Sequence, residues 1–140
     1  MISGVYKESQ LPEFFDKIAP LLERPYIVWL NAEMGAGKTT FVREFLRYKG
    51  LSNQTPVVSP TYTILNEYLI EGSWYAHLDL YRAEENFSLE EVGVQDRSYE
   101  GVFVEWPEAA PRHEVLNPTH SLSIQYNETL DDRSYSFDQL

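Results

Sequence analysis

The chain has 140 residues, of which 43% are hydrophobic and 14% aromatic; that is enough apolar material for one packed domain, 1–140, and too much for a disordered segment. Twenty-two acidic residues oppose eleven basic ones, a formal net charge of −11, which argues against a direct grip on a polyanion such as nucleic acid. With no cysteine in the chain, disulfides, thiolate metal sites and thiol nucleophiles are excluded.

Met1 to Gln10 carries neither the basic start nor the apolar stretch of a secretory signal. No run approaches the roughly 18 consecutive apolar residues of a membrane helix, so the expected location is the cytoplasm, with no membrane partner. Leu11, Phe14, Phe15, Ile18 and Leu22 recur at helical spacing, predicting a first amphipathic helix with Ser9 as its N-cap and Pro12 in its first turn. Pro20 should end or kink it. Tyr26-Ile27-Val28-Trp29-Leu30 is an unbroken apolar run suited to a strand buried on both faces. After a glycine loop, Phe41, Val42, Phe45 and Leu46 mark a second helix that Gly50 can close.

Beyond a polar connector, Ser52 to Pro56, a strand from about Thr63 to Ile70 should pair through a turn at Gly72 with Trp74 to Leu80. Ser88 to Val92 reads as a short acidic helix, and Val102-Phe103-Val104 as a buried strand. Pro111 and Pro118 interrupt the chain before the alternating Leu122, Ile124 and Tyr126 and a last strand over Arg133 to Phe137. No repeat, long linker or low-complexity tract occurs. The order implies an α/β sandwich of three layers around a mainly parallel sheet, with antiparallel strands at its margins.

The loop between the first strand and the second helix is where chemistry concentrates. Gly35-Ala36-Gly37-Lys38-Thr39-Thr40 has what a phosphate-binding loop needs. Small residues let backbone N–H groups close around a phosphate, Lys38 adds a point charge, and the Thr39 hydroxyl can ligate Mg²⁺. The helix N-terminus behind it favours an anion. The pattern G-x-x-x-x-G-K-[ST] would place glycine at position 32, where this chain has Ala32.

Nucleotide hydrolysis also needs carboxylates to hold the metal and orient water. Gly101-Val102-Phe103-Val104-Glu105 has the form of a Walker B strand, with Glu105 in the usual aspartate position. A parallel sheet would bring its end beside the phosphate loop, whereas a merely solvated acid is the plainer alternative. In His77-Leu78-Asp79-Leu80-Tyr81-Arg82, period two puts His77, Asp79 and Tyr81 on one face. A polar face at a sheet edge would account for that equally well. The one basic cluster, Arg43, Arg47 and Lys49, shares its helix with Glu44. If nucleic acid is involved, another chain should hold it.

Together with Ser59-Pro60-Thr61-Tyr62-Thr63, Asn66-Glu67-Tyr68, Leu89-Glu90-Glu91-Val92-Gly93 and Glu105-Trp106-Pro107-Glu108, these strings follow one another in an order that resembles the TsaE (YjeE) family. The likeness spans about positions 26 to 108. Ala32 and Glu33 stand where that family often has glycine and aspartate. The resemblance implies a P-loop NTPase-like fold and an ATP- and Mg²⁺-dependent ATPase subunit for making threonylcarbamoyladenosine in tRNA. It implies ATP contacts from Met34, Gly35, Ala36, Gly37, Lys38, Thr39, Thr40 and Thr61, with Lys38 on the β/γ-phosphates. Thr39 and Glu105 would hold Mg²⁺, and Asp79 would position the metal or the attacking water. Trp106 and Arg82 would contact nucleotide or a partner. The implied partners are a TsaD-like catalytic subunit and a TsaB-like subunit, with tRNA reached only through that complex. A small-molecule kinase and a non-enzymatic module whose ATP only fixes its shape are the alternatives.

Overall fold

The computed structural model describes residues 1–33, 37–60, 63–82, 88–94, 97–109, 116–127 and 131–140. In chain order these form β1 (Ile2–Lys7), α1 (Leu11–Ile18), β2 (Tyr26–Ala32), α2 (Lys38–Tyr48), β3 (Leu65–Ile70), β4 (Ser73–Asp79), α3 (Leu89–Val92), β5 (Tyr99–Glu105), β6 (His120–Tyr126) and β7 (Asp132–Gln139). All seven strands join one sheet in the order β1-β7-β6-β2-β5-β4-β3. The four inner strands, β6-β2-β5-β4, run parallel. At one margin β3 folds back antiparallel on β4, and at the other β7 and β1 pair antiparallel in turn.

Strand β2 is central because its side chains are apolar on both faces. Tyr26, Val28 and Leu30 pack with Phe103, Leu122 and Ile124 beneath α1 and α2, while Ile27 and Trp29 join Leu78, Val102 and Val104 on the other side. The helical side is aromatic: Phe15 meets Phe41 and Phe45 edge-on at 5.4 Å, and Phe45 meets Phe103 at 5.3 Å. Offset and edge-on contacts of this kind favour a fixed packing over a greasy one. On the opposite face Leu89 of the one-turn α3 packs with Leu78, Leu80 and Val94.

Local chemistry sets the boundaries. α1 stops at Ile18, and Pro20 continues as a 3-10 turn over Ala19–Leu21. Ser9 is not the N-cap expected of it. Residues 8–10 wind into a 3-10 turn of their own, held where the Lys7 amide donates to Gln10 Oε1 at 2.9 Å, so Gln10 occupies the cap position. α2 ends before Gly50, whose φ of 119° lets Gly50 and Leu51 donate back to Arg47 and Leu46 at 3.0 and 2.9 Å. The β3–β4 hairpin turns on Glu71 and Gly72, both at positive φ, the geometry of a two-residue type I′ turn. β1 has no counterpart among the predicted elements; only its Tyr6 is buried. Among the described residues no helix is long and apolar enough to cross a membrane.

Candidate functional site

α2 opens at Lys38, directly after Gly37, whose φ of 106° lies where a side chain is strained. The Gly37 carbonyl accepts the first helical bond from the Phe41 amide at 2.9 Å. Lys38 folds inward and is only 6% exposed. Its Nζ donates to the Ala32 carbonyl at 3.3 Å, bridging the end of β2 and the start of α2, and lies 3.9 Å from the centroid of the Trp106 ring. Burial pulls its pKa below the ordinary lysine value, while Glu105, Asp79 and Glu108 push back.

Of these acids, the two on strands reach the same level because β4 and β5 are in parallel register, with Asp79 opposite Glu105. Alternation turns both toward α2, the side on which Tyr75 and Phe103 enter the aromatic core. Asp79 is 2% exposed and Glu105 4%, so neither is a solvated strand end. The backbone locks their strands together: Leu80 N–H donates to the Glu105 carbonyl at 3.0 Å and Asp79 N–H to the Ile64 carbonyl at 2.9 Å. Asp79 Oδ1 accepts the Tyr81 amide at 2.9 Å, which turns the chain away from the sheet. Glu105 Oε2 is hydrogen-bonded to His77 Nε2, and His77 is fully buried. Among the described residues no three His, Asp or Glu side chains converge as a metal cage.

Trp106 follows Glu105 at a φ of 56°, rare for so large a side chain. Its ring contacts both the Lys38 ammonium and the Tyr81 ring, whose centroid is 5.1 Å away. Lys38, Asp79, Glu105 and Trp106 are thus gathered at one end of the parallel strands, with Thr39 and Thr40 half-buried on the adjoining first turn of α2. Arg82 is exposed on the turn beyond Asp79. Met34, Gly35, Ala36 and Thr61 lie outside the described residues. Sequence reasoning assigned no role to His77, Glu108 or the Tyr81 ring; the signal that His77 and Tyr81 carried was their alternation with Asp79.

Beside the second turn of α2, Lys7, Ser9, Glu44, Tyr126 and Arg133 line a cavity of about 750 Å³. The basic cluster on that helix is taken up by carboxylates. Arg43 pairs with Glu8 and Glu44, Arg47 lies 3.6 Å from Glu44, and Lys49 lies 3.6 Å from Glu100.

Comparison with known proteins brings one family forward. The family model described as Threonylcarbamoyl adenosine biosynthesis protein TsaE matches residues 5–135. Three relatives are each called tRNA threonylcarbamoyladenosine biosynthesis protein TsaE. That of Haemophilus influenzae is 40% identical over 64% of this chain and 58% of its own length, so here the match spans under two thirds of the relative. That of Aquifex aeolicus is 37% identical over 72% of each chain. That of Rickettsia bellii is 32% identical over 90% of this chain and 85% of its own. Among solved structures, that of Bacillus subtilis YdiB superposes with a TM-score of 0.66, covering 97% of this chain and 83% of that one at 22% identity, a likeness of fold.

Proposed function

This chain belongs to the TsaE family of threonylcarbamoyl adenosine biosynthesis proteins, and from that premise we propose that it binds Mg²⁺-ATP and hydrolyses it slowly as an accessory subunit of tRNA modification. The observation that carries this reading is the burial of one lysine ammonium at the N-terminus of α2, facing the acidic ends of two parallel strands. A buried cation of this kind is costly unless it has an anion to meet, and helix start, lysine and free amides form an anion site.

In this reading Lys38 leaves the Ala32 carbonyl and the Trp106 ring to contact the β/γ-phosphates. Backbone amides from Met34 to Thr40 and the threonine at position 61 would supply the further phosphate contacts that the family resemblance implies. Thr39 and Glu105 would hold Mg²⁺, and the ion, when bound, would supply charge neutralisation for the phosphates. Two protein ligands fit an ion that keeps several waters and takes phosphate oxygens for the rest; a cage of three acids or histidines is not required. Asp79, which faces the same side as Glu105 and is held by the Tyr81 amide, orients the attacking water. The cavity beside Ser9 and Arg133 is wide enough for the nucleoside end.

A net charge of −11 and a basic cluster paired with acids favour a subunit that meets tRNA only through others. We assign the threonylcarbamoyl transfer itself to a TsaD-like subunit, with a TsaB-like relative completing the complex. Nucleotide state then changes affinity for that complex. The test is single-turnover ATP hydrolysis and tRNA modification in a mixture reconstituted from the three subunits. Hydrolysis that rises with the partners and is needed for repeated turnover supports the reading. Modification that continues unaltered without hydrolysis would make the nucleotide structural, and a phosphorylated metabolite would make the chain a kinase.

A further inference from the structure

The deepest polar contact in the site is the one between His77 and Glu105. His77 lies on β4, two residues before Asp79, and Glu105 ends the neighbouring β5. His77 is 0% exposed and its Nε2 meets Glu105 Oε2, while its Nδ1 is buried with no hydrogen-bond partner. A neutral imidazole has one N–H to place. On Nε2 that hydrogen is satisfied by the carboxylate, and the ring's bare nitrogen is left as a buried acceptor without a bond. On Nδ1 it would leave a buried donor unmade and turn two acceptors toward each other, which costs more. The contact therefore fixes the tautomer.

We propose that His77 is a positioning residue: its Nε2–H, donated across the β4–β5 ladder, holds the Glu105 carboxylate in one orientation before any ligand arrives. The proposal rests on the reading of Glu105 as a support of Mg²⁺. A glutamate side chain has three rotatable bonds, and a free one must be ordered at the moment of binding. Here that ordering is built into the sheet, because the parallel register that sets Asp79 opposite Glu105 also sets His77 within reach of it. Partners of this second kind, which orient a ligand without touching the ion, are commonly worth about 10–100-fold in metal affinity.

The experiment measures ATP affinity by calorimetry in Mg²⁺ and in EDTA, and takes the ratio of the two as the magnesium enhancement. His77→Leu removes the donor and keeps the volume; His77→Gln keeps an N–H near the place of Nε2. The leucine variant should lose about tenfold or more of the enhancement with its EDTA affinity unchanged, the glutamine variant should retain most of it, and His77→Leu should add nothing in a Glu105→Ala background. An enhancement lost in Glu105→Ala but intact in His77→Leu overturns the proposal and leaves the metal reading standing. An enhancement intact in Glu105→Ala overturns the metal reading itself. Because the leucine variant could fail to fold, the wild-type protein is also examined by long-range ¹H–¹⁵N NMR of its histidines. A His77 ring protonated at Nε2 is the expected result, and one protonated at Nδ1 refutes the proposal without any variant.

Discussion

Replacing Lys38 by methionine should separate binding from stability. The residue is 6% exposed, its ammonium's hydrogen bond to Ala32 is 3.3 Å long, and the ammonium lies 3.9 Å from the Trp106 ring centroid. A desolvated cation–π contact is worth about 2 kcal/mol, whereas burying the charge costs several. The net sign is set by Lys38's depressed pKa, caused first by burial. The folded protein holds that proton less tightly than the unfolded chain does, so near neutral pH the charge works against folding. Lys38→Met should therefore be at least as stable as wild type at pH 7 by urea denaturation, where an ordinary core substitution loses about 0.5–3 kcal/mol. As pH rises toward the unfolded lysine value of 10.5, the unfolded chain binds more protons than the folded one. Wild type then gains relative to the variant, and the gap should close. Affinity for Mg²⁺-ATP moves the other way. A hydrogen bond to a charged group is worth about 1.5–3 kcal/mol, so calorimetry should show Kd raised about 10- to 150-fold. A methionine variant that binds ATP like wild type, or one that is destabilised by more than about 2 kcal/mol, refutes the reasoning.

Three further outcomes test other parts of the molecule. Glu105→Ala should weaken the Mg²⁺ dependence of ATP binding, while Asp79→Ala should bind nearly normally but hydrolyse on the order of 10²–10⁴ more slowly; equal loss of metal dependence in both would show that the acids share one role. Gly101→Ala should cost about 1–3 kcal/mol in urea denaturation, because its Cβ would stand 2.2 Å from Cε2 of the buried Tyr26 ring. A loss below about 0.5 kcal/mol would mean the ring shifts freely. Burial pushes the Glu100 carboxyl up, but bonds from Tyr75 and Ser73 and the charges of Lys49 and Arg24 outweigh it and hold the pKa below the usual 4.5. Its contribution is thus complete above that value and lost as pH falls through the lower, folded pKa. Thermal melts of wild type and Glu100→Gln should differ at pH 7 and converge in acid; a constant difference would deny the linkage.

What could be read in advance was what short segments decide by themselves. The run Tyr26 to Leu30 announced a two-sided strand, Phe41, Val42, Phe45 and Leu46 announced the helix that follows it, and Gly72 announced the hairpin turn. Glu105 could be nominated because it ends an apolar strand and Asp79 because it lies near a strand end on a polar face, but their level with one another depends on register across two strands distant in sequence. The same gap hid the tie between His77 and Glu105. β1 escaped notice because Ser3 and Gly4 dilute its pattern and it buries only Tyr6. It is a strand chiefly because β7 pairs with it from Ile2↔Phe137 to Lys7↔Asp132. Ser9 looked like a cap, yet Gln10 reached the Lys7 amide first. Glu44 already offset the basic cluster in the sequence, but the cluster's pairing with Glu8 and Glu100 joins residues distant along the chain.

The central place of β2 in the sheet also governs the order in which the molecule can assemble. Its two neighbours, β5 and β6, arrive from far downstream, Gly101 against Tyr26 and His120 against Val28. Nothing next to β2 in sequence pairs with it; the pairings that close locally are β6–β7, where Tyr126 meets Arg133, and the β3–β4 hairpin with its two-residue turn. Chains whose contacts are mostly non-local fold slowly, since loop closure is spent before the contacts repay it. The hairpin should form early and wait. A nascent chain synthesised only as far as Glu105 already holds Lys38, Asp79 and Glu105, but Val28 and Leu30 still lack the strand that covers their other edge. The lysine's cradle, although all its residues are present once Trp106 is made, is completed only when the last strands dock.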